Sequence, residues 1–262
     1  MKPKLTKTYL QEVEVIKRVL TDTIYEEGVR DKYFSGKITK KEKEKILSTG
    51  VYDSYVNDGL VNPASAETMI GIPRLTNYQE CIQNVIANKV EGDIIETGVF
   101  RGGACILAAF VVNKLKSNKK VYVADSFEGL PKPDSKYPAD ENDEHHKMEF
   151  LKISVDEVKS NFKKYNLLSD SVCFIKGFFK DSLKKVPFEK LSALRLDGDM
   201  YSSTYEALTL LYEKVTVGGY VIVDDYFLPA CKKAVDDFRE QKEITDTIER
   251  IDWTGVYWIK TK

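Results

Sequence analysis

The sequence has few of the residue types that usually form a metal or redox centre. It contains four cysteines and two histidines in 262 residues. The cysteines are far apart, and the absence of a Cys-x-x-Cys pair excludes a zinc knuckle and a dithiol redox site. Lysine and arginine (40) almost balance aspartate and glutamate (41), which gives a net charge of −1. This charge does not favour a nucleic acid or a membrane surface as the partner.

Long apolar segments are also missing. No run of about 18 apolar residues occurs, and the first residues have no apolar core of the kind found in a signal peptide. We therefore expect a cytoplasmic protein without a membrane span. Apolar residues nevertheless make up 42% of the chain, which is enough to form the core of one large domain.

The first 60 residues are polar and rich in lysine. Apolar residues recur at helical spacing over residues 9–25, and residues 37–45 are highly charged. We expect residues 1–63 to form a helical appendage or lid, and a contact in a homo-oligomer, beside a main domain at residues 64–262.

The main domain is organised around residues 91–103. Residues 93–95 predict a short buried strand and residues 104–114 predict a helix, with a glycine-bearing turn between them. Such a unit begins a doubly wound α/β sheet, in which ligands bind at the carboxyl ends of the strands. The spacing Gly-x-x-x-Gly-Gly differs from the Gly-x-Gly-x-x-Gly of dinucleotide sites. Glu96 favours a ligand with a cationic or hydroxyl-bearing part, and a purely structural turn is the alternative.

The next two strands end in residues that suit a nucleoside. A strand at residues 121–125 ends in Asp125, and such an acid accepts hydrogen bonds from ribose hydroxyls in nucleotide-binding α/β folds. A cap for the following turn is the alternative. A strand at residues 172–175 leads into Gly177, Phe178 and Phe179, which would either flank a flat base or pack in the core.

A long polar segment lies between these strands, at residues 131–150. Segments of this length are often lids over a site. His145 and His146, the two histidines of the chain, lie here side by side. One of them would act as a base or contact the substrate, and two exposed loop histidines are the alternative.

Four carboxylates follow two further predicted strands. Asp197 and Asp199 come just after Leu196, and Asp224 and Asp225 come just after Val223. Adjacent parallel strands would bring all four to one edge of the sheet, where they cannot crowd together uncompensated. They would therefore pair with bases or hold a hard divalent cation such as Mg²⁺, or else spread along the edge as caps.

The remaining predictions complete the sheet. We expect a loop at 65–75, helices at 77–87, 155–165, 205–215 (with its N-cap within 202–204) and 230–241, and a terminal antiparallel hairpin from strands at 247–252 and 256–260. The predicted fold is α/β, a Rossmann-like doubly wound sheet with a C-terminal antiparallel hairpin and a helical N-terminal appendage.

Six segments, in order along the chain, carry a resemblance to a known family. They are 67–71 (ETMIG), 93–103 (DIIETGVFRGG), 125–131 (DSFEGLP), 177–179 (GFF), 196–201 (LDGDMY) and 218–226 (GGYVIVDDY). The chain resembles the macrocin O-methyltransferase (TylF-type) family of S-adenosylmethionine-dependent enzymes, many of which methylate sugar hydroxyls. The resemblance implies a class I methyltransferase fold, S-adenosyl-L-methionine and Mg²⁺ as cofactors, and a small-molecule hydroxyl acceptor, a sugar or a diol.

The resemblance also implies roles for single residues. Thr68 and Met69 would lie at the methionine end of the cofactor, Glu96, Thr97, Gly98, Arg101, Gly102 and Gly103 along the turn that holds its amino-acid part, Asp125 and Ser126 at the ribose, and Gly177 and Phe178 at the adenine. Asp197, Asp224 and Asp225 would be the metal ligands. Asp199 would be the general base, with His145 or His146 as the alternative.

Two other functions remain open. A catechol- or caffeoyl-type O-methyltransferase would keep the cofactor and metal and change the acceptor to a flat aromatic molecule. A catalytically inert partner-binding module would keep only the fold, and the intact set of carboxylates argues against it. A nucleotide-dependent oxidoreductase is disfavoured because the Gly-x-Gly-x-x-Gly turn is missing.

Overall fold

The computed structural model describes residues 5–24, residue 59 and residues 65–262. Within these residues the strands form one seven-stranded sheet in the order β3-β2-β1-β4-β5-β7-β6. The strands are β1 (Asp93–Thr97), β2 (Val121–Asp125), β3 (Val172–Lys176), β4 (Leu191–Leu196), β5 (Val215–Val223), β6 (Glu249–Arg250) and β7 (Val256–Ile259). The first five are parallel, and β7 runs antiparallel to β5 and β6. The predicted α/β class and the terminal antiparallel hairpin are confirmed.

The helices cover both faces of the sheet, as a parallel sheet requires. They are α1 (Lys7–Leu20), α2 (Ile72–Ala87), α3 (Gly103–Lys114), α4 (Val155–Lys164), α5 (Phe179–Ser182), α6 (Tyr201–Leu211) and α7 (Pro229–Gln241), with short 3₁₀ turns between some of them. One apolar cluster packs α1, α2, α3 and α4 on the sheet, and a second packs α6 and α7 on the other side. Among the described residues no helix is long and apolar enough to cross a membrane.

The register of the central strands fixes the position of the site. Thr97 pairs with Leu196, and Leu196 pairs with Val223. The last residues of β1, β4 and β5 are therefore level, so Asp197 and Asp224 both leave the sheet at the same edge. This is the arrangement expected from the positions of the carboxylates in the sequence.

Helix α1 is the described part of the predicted N-terminal appendage. Its helical pattern is confirmed, and the Thr6 side chain caps it by accepting a hydrogen bond from the backbone N–H of Tyr9 (3.1 Å). Val13 and Leu20 are buried in the same cluster as α2 and α3, so α1 is packed into the core. The predicted charged segment 37–45 lies outside the described residues.

Three predicted starts of elements differ clearly from the structure. Helix α2 begins at Ile72 and not at 77, because Pro73 occupies the first turn, where a missing N–H costs nothing. Helix α6 begins at Tyr201, so residues 202–204 lie inside its first turn and do not cap it. Strand β5 begins at Val215 and passes through Gly218 and Gly219, which were expected to turn before it.

Candidate functional site

A cavity of about 410 Å³ opens at the carboxyl edge of the parallel strands. It lies where ligands bind in doubly wound sheets. The predicted site residues that line it are Thr68, Met69, Glu96, Gly98, Asp125, Ser126, His145, Phe178, Asp197, Asp199, Asp224 and Asp225. The structure thus brings together residues from the glycine turn, the strand ends and the lid.

The turn after β1 and the end of β2 are held together by backbone hydrogen bonds. The Asp125 carboxylate accepts from the backbone N–H of Val99 (2.8 Å) and of Phe127 (2.7 Å). Burial raises the pKa of Asp125, and these N–H groups oppose the shift by stabilising the charged form. Gly98 adopts a positive φ of 85°, and a Cβ there would lie 1.6 Å from the carbonyl oxygen of Asp197. Only glycine fits at this junction of the two strands.

Two predicted glycines act behind the cavity wall. The backbone N–H of Gly103 donates to the carbonyl of Glu67 (2.9 Å), and a Cβ on Gly103 would lie 2.6 Å from the Cβ of Thr68. Gly102 has a positive φ of 87° and precedes helix α3. These glycines let the segment that carries Thr68 approach the start of α3, but neither lines the cavity formed by the described residues.

Four other predicted site residues do not line this cavity. The Thr97 hydroxyl donates to the carbonyl of Arg195 (3.4 Å), on the neighbouring strand. Arg101 pairs with Glu157 (3.5 Å) on α4. Gly177 supports the site through its backbone, since its N–H donates to the Asp125 carbonyl (2.9 Å), and His146 lies beside His145 but is not in the lining.

The carboxylates at the ends of β4 and β5 form a close group. One oxygen from each of Asp197, Asp224 and Asp225 lies within 4.8 Å of the others. Asp225 also accepts the backbone N–H of Asp199 (3.1 Å). Asp199 has a positive φ of 56°, a conformation that is uncommon for residues other than glycine and is often found at functional sites.

Two buried arginines are built into this group, and the sequence reasoning missed both. Arg195 pairs with Glu96 and Asp224 and donates to Asp197 (2.8 Å). Arg74 pairs with Asp224 and with Asp252 (2.9 Å), in the turn of the C-terminal hairpin. A charged residue near the end of a fully buried and largely apolar strand, as at Arg195, is the signal that would have predicted a partner.

The arginines do not fully compensate the carboxylates of the described site. Burial and the neighbouring carboxylates raise the pKa of Asp197 to about 8, against the opposing effect of Arg195. Burial raises the pKa of Asp225 well above its usual value, and the negative charges of Asp199, Asp197 and Asp224 add to this shift. Oxygen ligands with surplus negative charge are the donor set that suits a hard divalent cation. The residues present therefore fit Mg²⁺.

Glu96 differs from the ligand-binding carboxylate that was expected. It is almost fully buried, pairs with Arg195 and accepts a hydrogen bond from the thiol of Cys105 (2.8 Å). Burial raises its pKa, and the guanidinium of Arg195 opposes the shift. Its carboxylate therefore ties β1 to β4 beneath the cavity that it also lines.

The polar segment at residues 131–150, the predicted lid, is anchored to helix α6. The fully buried Asp140 accepts the backbone N–H groups of Tyr201 (2.7 Å) and Ser202 (2.9 Å). These are orphan donors of the first helical turn, so Asp140 caps α6 from the lid. Nearby, the Nδ1 atom of His145 lies 2.6 Å from a carboxylate oxygen of Asp143.

Comparison with known proteins places the chain in a family. The family model described as macrocin-O-methyltransferase (TylF) matches residues 6–260. The chain is similar to the demethyldecarbamoylnovobiocin O-methyltransferase of Streptomyces niveus, with 42% identity over 254 residues (95% of this chain and 93% of the relative). It is also similar to the 8-demethyl-8-(2,3-dimethoxy-alpha-L-rhamnosyl)-tetracenomycin-C 4'-O-methyltransferase of Streptomyces olivaceus, with 38% identity over 257 residues (95% of this chain, 92% of the relative).

The fold has a close counterpart among solved structures. The structure of the O-methyltransferase NovP superposes with a TM-score of 0.86 at 41% identity, and the match covers 97% of this chain and 99% of that chain. The chain belongs to the TylF macrocin O-methyltransferase family and is an S-adenosylmethionine-dependent O-methyltransferase.

Proposed function

We propose that this enzyme transfers a methyl group to a hydroxyl of a sugar on a glycosylated small molecule, and that Mg²⁺ supports the transfer. The observation that carries the proposal is the group Asp197, Asp224 and Asp225 in the same cavity as the glycine turn and Asp125. The acceptor class is supported by the rhamnosyl compound named for the relative from S. olivaceus.

The residues of the cavity divide between two ligands. Asp125 would accept hydrogen bonds from ribose hydroxyls. Each of its two carboxylate oxygens accepts one backbone N–H and has a second lone pair for a further hydrogen bond. Thr68 and Met69 would lie at the methionine end and Phe178 at the adenine. Asp197, Asp224 and Asp225 would hold the cation.

The chemistry requires an activated acceptor oxygen. When bound, the cofactor supplies an electrophilic methyl group and the cation lowers the pKa of the acceptor hydroxyl. The protein has to orient that hydroxyl and remove its proton. Asp199 is our candidate for the general base, because its positive φ and its hydrogen bond to Asp225 hold it beside the metal ligands. His145, oriented by Asp143, is the alternative base.

Calorimetry tests the two halves of this proposal separately. S-adenosylhomocysteine is titrated with and without Mg²⁺ into the wild type and into Asp197→Ala and Asp225→Ala. We expect both variants to bind S-adenosylhomocysteine within about threefold of the wild type and to lose the Mg²⁺ signal and at least a thousandfold of methyl transfer. The control Asp181→Ala removes a carboxylate that is exposed and pairs with Lys184, and it should keep both.

The outcomes separate the alternatives. Unchanged turnover in Asp197→Ala or Asp225→Ala would contradict the assignment of these aspartates as metal ligands. Loss of turnover in Asp199→Asn, with normal turnover in His145→Gln, supports Asp199 as the base, and the reverse result supports the histidine. Methylation of a catechol with no methylation of any glycoside would move the enzyme to the aromatic O-methyltransferase class.

A further inference from the structure

An aromatic surface stands at the mouth of the cavity. It consists of Phe227, Leu228 and Trp253, which we call the aromatic rim. Phe227 is 66% exposed and Trp253 is 39% exposed, and their ring centroids are 5.8 Å apart at an angle of 67°. Leu228 and Trp253 line the cavity. Exposed large apolar side chains that adjoin in this way mark a binding surface more often than scattered ones do.

The rim is held rigidly against the carboxylate group. The guanidinium of Arg74 lies 5.8 Å from the centre of the Trp253 ring, and Arg74 is itself fixed by Asp224 and Asp252. Asp252 also accepts the backbone N–H groups of Thr254 (3.0 Å) and Gly255 (2.8 Å), so it closes the turn that carries Trp253. The hydroxyl of Thr254 donates to the carbonyl of Asp224 (3.0 Å).

These contacts fix the position of the aromatic rim relative to the carboxylate group. Phe227 follows Asp225 by two residues, and Trp253 is joined to Asp224 through both Arg74 and Thr254. An acceptor whose hydroxyl lies at the carboxylates would therefore carry its next group against the rim. Hydrogen-bonding side chains of the lid that line the same cavity, Lys132, Asp134 and His145, suit the remaining hydroxyls of a sugar.

We infer that Phe227 and Trp253 determine acceptor specificity by packing on a flat apolar aglycone attached to the sugar. This inference rests on the proposed function and deepens it. The acceptor is then a glycoside of an apolar aglycone and not a free sugar. Arg74, the cation against Trp253, is already paired with two carboxylates, so the rim does not favour the phosphates of a sugar nucleotide.

A matched pair of acceptors tests the inference by activity. We expect 4-nitrophenyl α-L-rhamnoside to have a kcat/KM at least tenfold above that of methyl α-L-rhamnoside. Phe227→Ala and Trp253→Ala should each lower kcat/KM for the aryl glycoside by about two- to tenfold, the worth of one aromatic contact. The loss should lie in KM, with no change for the methyl glycoside. The control Val217→Ala removes an exposed apolar side chain near the start of β5 and should change neither.

Fluorescence gives a test that does not depend on methyl transfer. The chain has two tryptophans, and Trp258 is fully buried. With S-adenosylhomocysteine present, 4-nitrophenyl α-L-rhamnoside should quench Trp253 in a saturable way, whereas the methyl glycoside should not. The Trp253→Phe variant provides the baseline and should show only the optical absorption of the nitrophenyl group.

The results distinguish this inference from the proposed function. Saturable quenching without methylation would support the rim and overturn the proposed reaction on this sugar. Equal methylation of both glycosides, unaffected by the rim substitutions, would overturn the rim and leave the reaction standing. A preference for dTDP-rhamnose that the rim substitutions do not change would also overturn it.

Discussion

The two halves of the cavity are held together in different ways. In the half where we propose that the cofactor binds, Asp125 is oriented by the backbone N–H groups of Phe127, close to it in sequence, and of Val99, on the turn after β1. In the half where we propose that the acceptor and the metal bind, buried arginine side chains pair with carboxylates far away in the chain. Arg195 pairs with Glu96, 99 residues away, and Arg74 pairs with Asp224 and Asp252, 150 and 178 residues away. The first half therefore depends on chain geometry, whereas the second depends on distant charges that must all be present together.

The largest effect on stability is expected from removing Arg195, which pairs with three carboxylates. We expect Arg195→Met to lower the free energy of unfolding by about 3–5 kcal/mol, because Glu96 would be left buried without a cation and Asp224 would keep only Arg74. Urea denaturation measures this change. Lys184→Met, at an exposed lysine that pairs with the exposed Asp181, is the control and should cost less than about 0.5 kcal/mol. A loss below about 1 kcal/mol in Arg195→Met would show that the carboxylates do not need this arginine.

A smaller effect is expected from loosening the lid. Asp140→Ala should lower the free energy of unfolding by about 3 kcal/mol, because two backbone N–H groups of helix α6 each lose a hydrogen bond to a buried carboxylate. Limited proteolysis should show faster cleavage within the lid segment. Asp134→Ala in the same segment, whose carboxylate accepts from the exposed backbone N–H of Lys136, is the comparison. Equal proteolysis of the two variants would contradict the role of Asp140 as the anchor.

The smallest effect is expected from Asp125→Asn, which tests whether the two halves of the cavity are independent. Asp125→Asn should weaken S-adenosylhomocysteine binding by about tenfold and cost about 1 kcal/mol of stability, because the amide offers one acceptor oxygen to N–H groups that now use two. Mg²⁺ binding should stay within twofold of the wild type. Calorimetry of both ligands measures this. A parallel loss of Mg²⁺ binding would show that the two halves are not independent.

The same difference between the two halves explains which features could be predicted from the sequence and which could not. The strand ends, the glycine turn and the convergence of Asp197, Asp224 and Asp225 follow from local patterns combined with the rule for parallel strands. Arg74 and Asp140 could not be found in this way, since their partners are far away in sequence and no local spacing records the contact. The start of α6 was misplaced for the same reason, because its capping carboxylate comes from the lid and not from residues 202–204.

The anchoring of the lid by Asp140 has a consequence for the time course of the reaction. Lifting residues 131–150 breaks two hydrogen bonds to a buried carboxylate, each worth about 1.5–3 kcal/mol net. A cost near 3 kcal/mol for the pair keeps the open form at about 1% of the molecules, since each 1.4 kcal/mol corresponds to a factor of ten. Products leave through the open form, so this population lowers the rate of their departure about a hundredfold relative to a permanently open site. Mixing enzyme with saturating substrates should therefore give a burst of one methylated product per active site, followed by a slower steady rate that Asp140→Ala accelerates.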